Sequence, residues 1–297
     1  MKTMDLKTRI SIKNIAFTTD LSPESYIALP WAAEFARCYG AKVWGFHVLS
    51  PNVYPVPPSL VLPTPEEDAQ EAAKSLGRRL AKHLAGVPQE VVIGRGETWS
   101  ALSSFIEKTS VDLVVMSTHG RTGLGKVLLG SVAETVFRQC PCPVLTVGPK
   151  AATRLDQPVE TKEILYATDF TPESRSAAAY AMSIAQEHQA HLVLLHVIEP
   201  LKAGDVGHGG ALVSTTMQLL RDLVPPEAEL WCKPEHVIEY GSPADNILKA
   251  AERRHAHLIV LGVRKPQGSL GLATHFARAT AYKVVSQANC PVLTVRG

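Results

Sequence analysis

Ile15-Ala-Phe-Thr-Thr-Asp-Leu-Ser-Pro-Glu-Ser25 returns 149 positions later as Ile164-Leu-Tyr-Ala-Thr-Asp-Phe-Thr-Pro-Glu-Ser174. Working outward, Phe46-His-Val-Leu-Ser-Pro51 is echoed by Leu195-His-Val-Ile-Glu-Pro200, and Asp112-Leu-Val-Val-Met116 by His257-Leu-Ile-Val-Leu261. Cys142-Pro-Val-Leu-Thr-Val147 closes the first series and Cys290-Pro-Val-Leu-Thr-Val295 the second. Landmarks matched in the same order mean a duplicated domain. The halves run over 13–148 and 162–297, and the polar, charged stretch 149–161, with Pro149 and Pro158, is the expected linker.

Each half alternates strand and helix signals. In the first, Asn14–Thr19 is a short apolar run expected to be a buried strand. Ser22-Pro23-Glu24 then has an N-cap serine, a proline at the first helical position and an acid in the first turn. Ile27, Trp31 and Phe35 mark one face of a helix that Gly40 closes, with a kink expected at Pro30. Val43–Leu49 is a strand, Ser50–Pro65 a proline-rich loop, and Ala69, Ala72, Ala73, Leu76, Leu80 and Leu84 a helical face. Strand Val91–Ile93, helix Thr98–Lys108, strand Leu113–Met116, helix Ser131–Arg138 and strand Val144–Val147 complete the unit. This order, written twice, predicts an α/β chain of two tandem, doubly wound, parallel five-stranded sheets of Rossmann-like type. The last strands, Val144–Val147 and Val292–Val295, are short segments without charge.

Composition agrees. The 297 residues suit two domains at about 100–200 residues each. Thirty Lys+Arg against 28 Asp+Glu argue against a nucleic-acid partner. No apolar run is long enough to span a bilayer, and Met1–Lys13 lacks the apolar core of a secretory signal. Five scattered cysteines do not make a disulfide framework, and Cys140-Pro141-Cys142 is C-x-C rather than the C-x-x-C of redox or zinc sites, so a cytoplasmic protein with reduced thiols and no redox or metal site is expected.

In such sheets ligands bind beyond the C-terminal strand ends, where the strand order reverses. Thr18, Thr19 and Asp20 follow the first strand; Met116 ends the fourth, and Ser117-Thr-His-Gly120-Arg-Thr-Gly123-Leu-Gly125-Lys-Val-Leu-Leu-Gly130-Ser131 follows it. Glycines let backbone N–H groups approach an anion, and a helix N-terminus adds unpaired donors and the positive dipole end. Asp20 can accept from a ribose hydroxyl or a base amine. The pattern describes a nucleotide site; the alternative is turn glycines and an aspartate that caps a helix. Gly120–Val127 nearly spells a P-loop, but Val127 has no hydroxyl for Mg²⁺.

Ser117-x-x-Gly120, nine residues and Gly130-Ser131 resemble the G-x-x-G-x9-G-[ST] motif of ATP-binding universal stress proteins, with serine for the first glycine. Thr19-Asp20, His47-Val48 and the closing Cys-Pro-Val-Leu-Thr-Val are similar to that family too, and the resemblance covers nearly all of both halves. It implies an adenine nucleotide alpha hydrolase-like fold, a tandem member with a stress-resistance or regulatory role, and an intramolecular pseudo-dimer in which the last strands, Val144–Val147 and Val292–Val295, cover each other's edges. It also implies ATP, with Mg²⁺ or Mn²⁺ at its phosphates. Asp20, beside Thr19 and Thr18, would hold the adenosine and Val48 the adenine edge, next to Met116. Ser117, Gly120, Gly130 and Ser131 would cradle ribose and phosphates, helped by His119 and Arg121. A serine at position 117 weakens binding if the backbone there needs a positive φ, and is harmless if it is extended.

The second half keeps Thr168, Asp169 and Val197, but Arg278-Ala279 stand where Gly130-Ser131 would be, and Gly262–Lys265 where Ser117–Gly120 would be. Its phosphate side is expected to be degenerate, with a different anion at Arg264, Lys265 and Arg278 as the alternative. His47 and His196 read as satisfied core histidines, and Gly204–Gly210 as a loop. No catalytic or metal-binding residue stands out. The expectation is therefore nucleotide binding centred on the first half, in a chain that pairs with itself and forms a homodimer if it assembles further. The competing readings are an interaction module with vestigial sites and a slow ATPase.

Overall fold

A computed structural model describes residues 10–49, 64–120, 129–151, 159–199, 209–226, 228, 233–264 and 272–297. The Gly204–Gly210 stretch, most of the proline-rich segment and of the linker, and Arg121 through Leu128, with the P-loop look-alike, lie largely or wholly outside these. The described residues form two compact units, one within Ser11–Val159 and the other within Glu160–Gly297 together with Ile10.

The first unit contains β1 (Asn14–Thr18), α1 (Leu29–Tyr39), β2 (Lys42–Leu49), α2 (Pro65–His83), β3 (Gln89–Arg95), α3 (Thr98–Thr109), β4 (Leu113–Ser117), α4 (Ser131–Gln139) and β5 (Val144–Val147). Its strands lie in the order β3-β2-β1-β4-β5, all parallel. Helices α1 and α2 pack on one face, α3 and α4 on the other. With both faces covered, β4 and β5 are buried throughout and β1 nearly so, which is why they read as continuous apolar runs.

The second unit repeats this with β6 (Glu163–Ala167), α5 (Pro172–His188), β7 (His191–Ile198), α6 (Gly209–Arg221), β8 (Glu235–Tyr240), α7 (Pro243–Arg253), β9 (Leu258–Val263), α8 (Leu272–Gln287) and β10 (Val292–Arg296). Its strands run β10-β9-β6-β7-β8, again parallel. The order reverses between β1 and β4 in the first unit and between β6 and β9 in the second, so each unit has its crevice at that junction.

The first helix differs from its sequence reading. Pro30 does not kink a helix; it sits in the first turn of α1, and a separate 3-10 turn, Ser25–Ala28, precedes it. Proline has no N–H to offer the Tyr26 carbonyl, and Leu29 N–H bonds to it instead. The Ser22 hydroxyl still caps, accepting from Ser25 N–H at 3.2 Å, but it caps the 3-10 turn. At the matched position the second unit has Ala179, and α5 runs unbroken for 17 residues. Gly40 ends α1 at φ 65°, in the left-handed conformation that glycine adopts most easily.

Helix α2 begins with a capping box: Thr64 Oγ1 accepts from Glu67 N–H at 3.2 Å, and Thr64 N–H donates to Glu67 Oε2 at 2.7 Å. These bonds, with Thr64 N–H first, hold the Glu67 carboxyl below its ordinary range. A depressed folded-state value means that the cap is complete at neutral pH and is lost as the pH falls through that lowered value. An NMR titration should show Glu67 below the usual carboxyl range and a return to it in Glu67 of Thr64→Pro, whose residue 64 has neither the hydroxyl nor the N–H; an unchanged value would remove the cap as the cause.

Candidate functional site

At the end of β1 the chain makes a tight corner. Thr19 N–H continues the ladder to the Phe46 carbonyl at 3.0 Å. Thr19 Oγ1 accepts from Leu21 N–H at 2.9 Å and pairs with Ser25 Oγ at 2.6 Å, and Ser25 Oγ donates to the Ser22 carbonyl at 2.8 Å. The chain of donors places Leu21 at φ 66°, a conformation costly for a branched side chain. Asp20 Oδ1 accepts from both Ser22 N–H at 3.0 Å and Ser22 Oγ–H at 2.5 Å. The second carboxylate oxygen lies against Gly120, where any Cβ would run into it. Asp20 therefore caps the corner with one oxygen and faces the β4 loop with the other, so the two readings of this residue are compatible.

Beyond β4, Ser117 is strand backbone without a positive φ, and its hydroxyl accepts from His119 N–H at 3.2 Å. A glycine is not needed there. Thr118, buried, bonds through Oγ1 to His119 Nδ1 at 2.8 Å, which fixes the ring. The Thr118 carbonyl accepts from Gly130 N–H at 2.9 Å, so both ends of the long loop are tied together at the mouth of the crevice. Gly130 is the N-cap of α4 at φ −60°, ψ 153°, with no side chain capping the helix. A glycine at the N-cap puts no side chain of its own on the first-turn N–H groups of α4, and among the described residues no other side chain is seen to cap them, as an anion site requires. Neither Gly120 nor Gly130 has a positive φ; what Gly120 supplies is room beside Asp20. Ser131 is exposed, Thr18, Thr19 and Met116 are buried, and Val48 is half-buried.

Two features escaped the sequence reading. Gly94 pairs with Val48, and a Cβ there would press on Val48 at 3.1 Å and on Ala101 and Phe46 at 3.2 Å. A glycine inside a strand is the available signal. The left-handed Leu21 has no sequence signal, because any residue type can be forced there by its neighbours. His47 is the core histidine expected: buried, with Nδ1–H donating to the Thr19 carbonyl at 2.8 Å, as His196 does to Thr168.

The second unit repeats the corner, but its crevice is lined differently. Asp169 Oδ1 accepts from Thr171 N–H at 3.1 Å and Thr171 Oγ1–H at 2.6 Å, and Phe170 is left-handed at φ 61°. Opposite Val197 stands Glu239 rather than glycine, paired with Arg253 on α7. Gly262 pairs with Val295 as Ser117 pairs with Val147, and the Glu173–Ser174 backbone of α5 is packed onto it. Arg278-Ala279 lie inside α8, six and seven residues past its first residue, where N–H groups bond within the helix.

Fold and corner geometry define a tandem α/β protein with a ligand-type crevice at the reversal of the strand order. A family model described as the universal stress protein family matches residues 11–148 and again 160–296, and the chain belongs to that family. It is 27% identical over 288 residues to a universal stress protein of Mycolicibacterium smegmatis, covering 93% of this chain and 95% of that one. A universal stress protein of Methanocaldococcus jannaschii is 34% identical over 140 residues, 46% of this chain and 81% of the relative. Among solved structures, a universal stress protein from Archaeoglobus fulgidus superposes with a TM-score of 0.69 at 20% identity, over 95% of this chain and 98% of that one, a likeness of fold. Among the described residues no helix is long and apolar enough to cross a membrane.

Proposed function

We propose that the first unit binds an adenine nucleotide, ATP, in the crevice beyond β1 and β4, and that the protein uses the bound nucleotide in a regulatory stress role. The observation that carries this is the α4 N-terminus: a glycine N-cap, tied to Thr118, with no described side chain on the first-turn donors. Gly130, Ser131 and the loop from Ser117 to Arg121 would hold the phosphates, a divalent cation accompanying them. Asp20, through the oxygen beside Gly120, would hold the ribose, and Val48 the base. The ligand would favour whichever conformation binds it better.

The preference for the first unit is supported by what is described of the second, where α8 runs through the position matched to Gly130-Ser131 and Glu239 stands where the first unit has Gly94. The vestigial-site reading leaned on Ser117, whose strand conformation removes that objection. The proposal is binding rather than turnover; phosphate release above background that disappears in Asp20→Ala would extend it to a slow ATPase.

Isothermal titration with ATP tests the reading. Saturable heat with Kd at or below ~1 mM, about 4 kcal/mol of binding free energy, is expected. Asp20→Asn, which keeps an acceptor for Ser22, should weaken it about tenfold by removing one charge-assisted bond of about 1.5 kcal/mol. No heat up to that concentration would sink the proposal.

A further inference from the structure

Helix α4 ends at Cys140, whose N–H bonds back to the Val136 carbonyl at 2.9 Å, and Pro141 turns the chain so that Cys142 comes back beside it. The two sulfurs are 3.5 Å apart. Cys140 is fully buried and Cys142 half-buried. The hydrogen bond to Cys140, reinforced by burial, pushes the Cys142 thiol well above the usual thiol range. The duplication supplies a comparison within the chain. There the matched stretch is Ala288-Asn289-Cys290, with Ala288 and Cys290 both buried. Alanine thus fills the first position of the same turn, and packing alone does not call for a second sulfur at 140.

We propose that Cys140 and Cys142 are a redox modification site, a dithiol that a hydroperoxide-class oxidant converts into a disulfide within the first unit. Cys142, the accessible thiol, loses its proton and attacks the peroxide. The sulfur–oxygen bond forms, the O–O bond breaks, and an alcohol (or water) leaves with that proton. Cys140 sulfur then attacks the resulting sulfenic sulfur, the S–S bond forms, the S–O bond breaks, and water leaves. Two thiols and one hydroperoxide become one disulfide, one alcohol and one water. The sulfurs need to close from 3.5 Å to about 2.05 Å. Because the thiolate is the attacking form, the reaction is slow at neutral pH and faster as the pH rises. The site lies at the far end of α4 from Gly130 and does not depend on the nucleotide reading.

The full-length reduced chain, exposed to hydrogen peroxide, alkylated after unfolding and mapped by mass spectrometry, gives the test. Alkylation of Cys140 and Cys142 should be lost together, the segment carrying both should lose two hydrogens, and Cys290 should still alkylate. Cys140→Ala, which copies the second unit, should leave Cys142 unable to close a ring, so that it passes to sulfinic acid. Circular dichroism checks that this variant folds, and Cys142→Ser provides the reverse arm. Over-oxidation of Cys142 with Cys140 still a thiol in the unsubstituted chain would overturn the proposal. So would retention of both thiols under oxidant that closes the ring in the urea-unfolded chain, or a disulfide from either residue to a different cysteine.

Discussion

Replacing Gly130 with aspartate is expected to abolish ATP binding while leaving the first unit at least as stable as before. At φ −60°, ψ 153° Gly130 already has the extended conformation of an N-cap, and a Cβ there meets only the Thr118 carbonyl at 3.4 Å. Aspartate is a preferred N-cap, so its carboxylate should accept from the first-turn N–H groups of α4 and add a few tenths of a kcal/mol over glycine. Those are the donors that the phosphates would use, and the new charge repels them. Losing two charge-assisted hydrogen bonds, about 1.5–3 kcal/mol each, weakens binding at least about 100-fold. Gly130→Ala, which leaves the donors uncapped, should keep Kd within about tenfold. Titration calorimetry and thermal unfolding on the same samples check both halves of the expectation. An unchanged Kd in the aspartate variant places the phosphates elsewhere, and equal loss in the alanine variant makes the effect steric.

Gly262→Val is expected to be the most damaging single substitution in the second unit. A Cβ at Gly262 collides with backbone atoms of Glu173 and Ser174, not with a side chain that can swing away. Either α5 lifts from β9 or the strand bends, and overpacking of this kind costs about 3 kcal/mol or more. The matched residue in the first unit, Ser117, carries a side chain in the same register. Ser117→Gly should therefore change stability by about 1 kcal/mol or less, the bond to His119 being its main loss. Denaturant midpoints of the two variants give the comparison. Equal effects would mean that the units pack alike at this point.

Much of this could be read in the amino acids, and the reasons are local. The strands announced themselves as apolar runs because parallel strands are covered on both faces, as Leu113–Ser117 and Val144–Val147 are. The proline in the first turn of α1 was legible as an interruption but not as a boundary. Whether a missing N–H bends a helix or splits it depends on what the turn before it can bond to, here Ser22, Ser25 and Thr19. The candidate site was legible as spacing, since Gly120 and Gly130-Ser131 keep their separation in any fold.

Sequence by itself determined the duplication, the alternation of strand and helix, the family, and the residues at the strand ends. These follow from periodicity, short-range capping and turn chemistry, which act over a few positions. Only the tertiary structure decided that Asp20 meets Gly120, that Gly94 faces Val48, that α5 presses on Gly262 and that α8 runs through Arg278-Ala279. Each is set by which strands lie side by side. β1 pairs with β4, almost a hundred residues along the chain, and the contact between their loops exists only once that pairing forms. Two halves with nearly the same order of residues thus end with different crevices, because whether a helix N-terminus has donors to offer depends on where the helix begins.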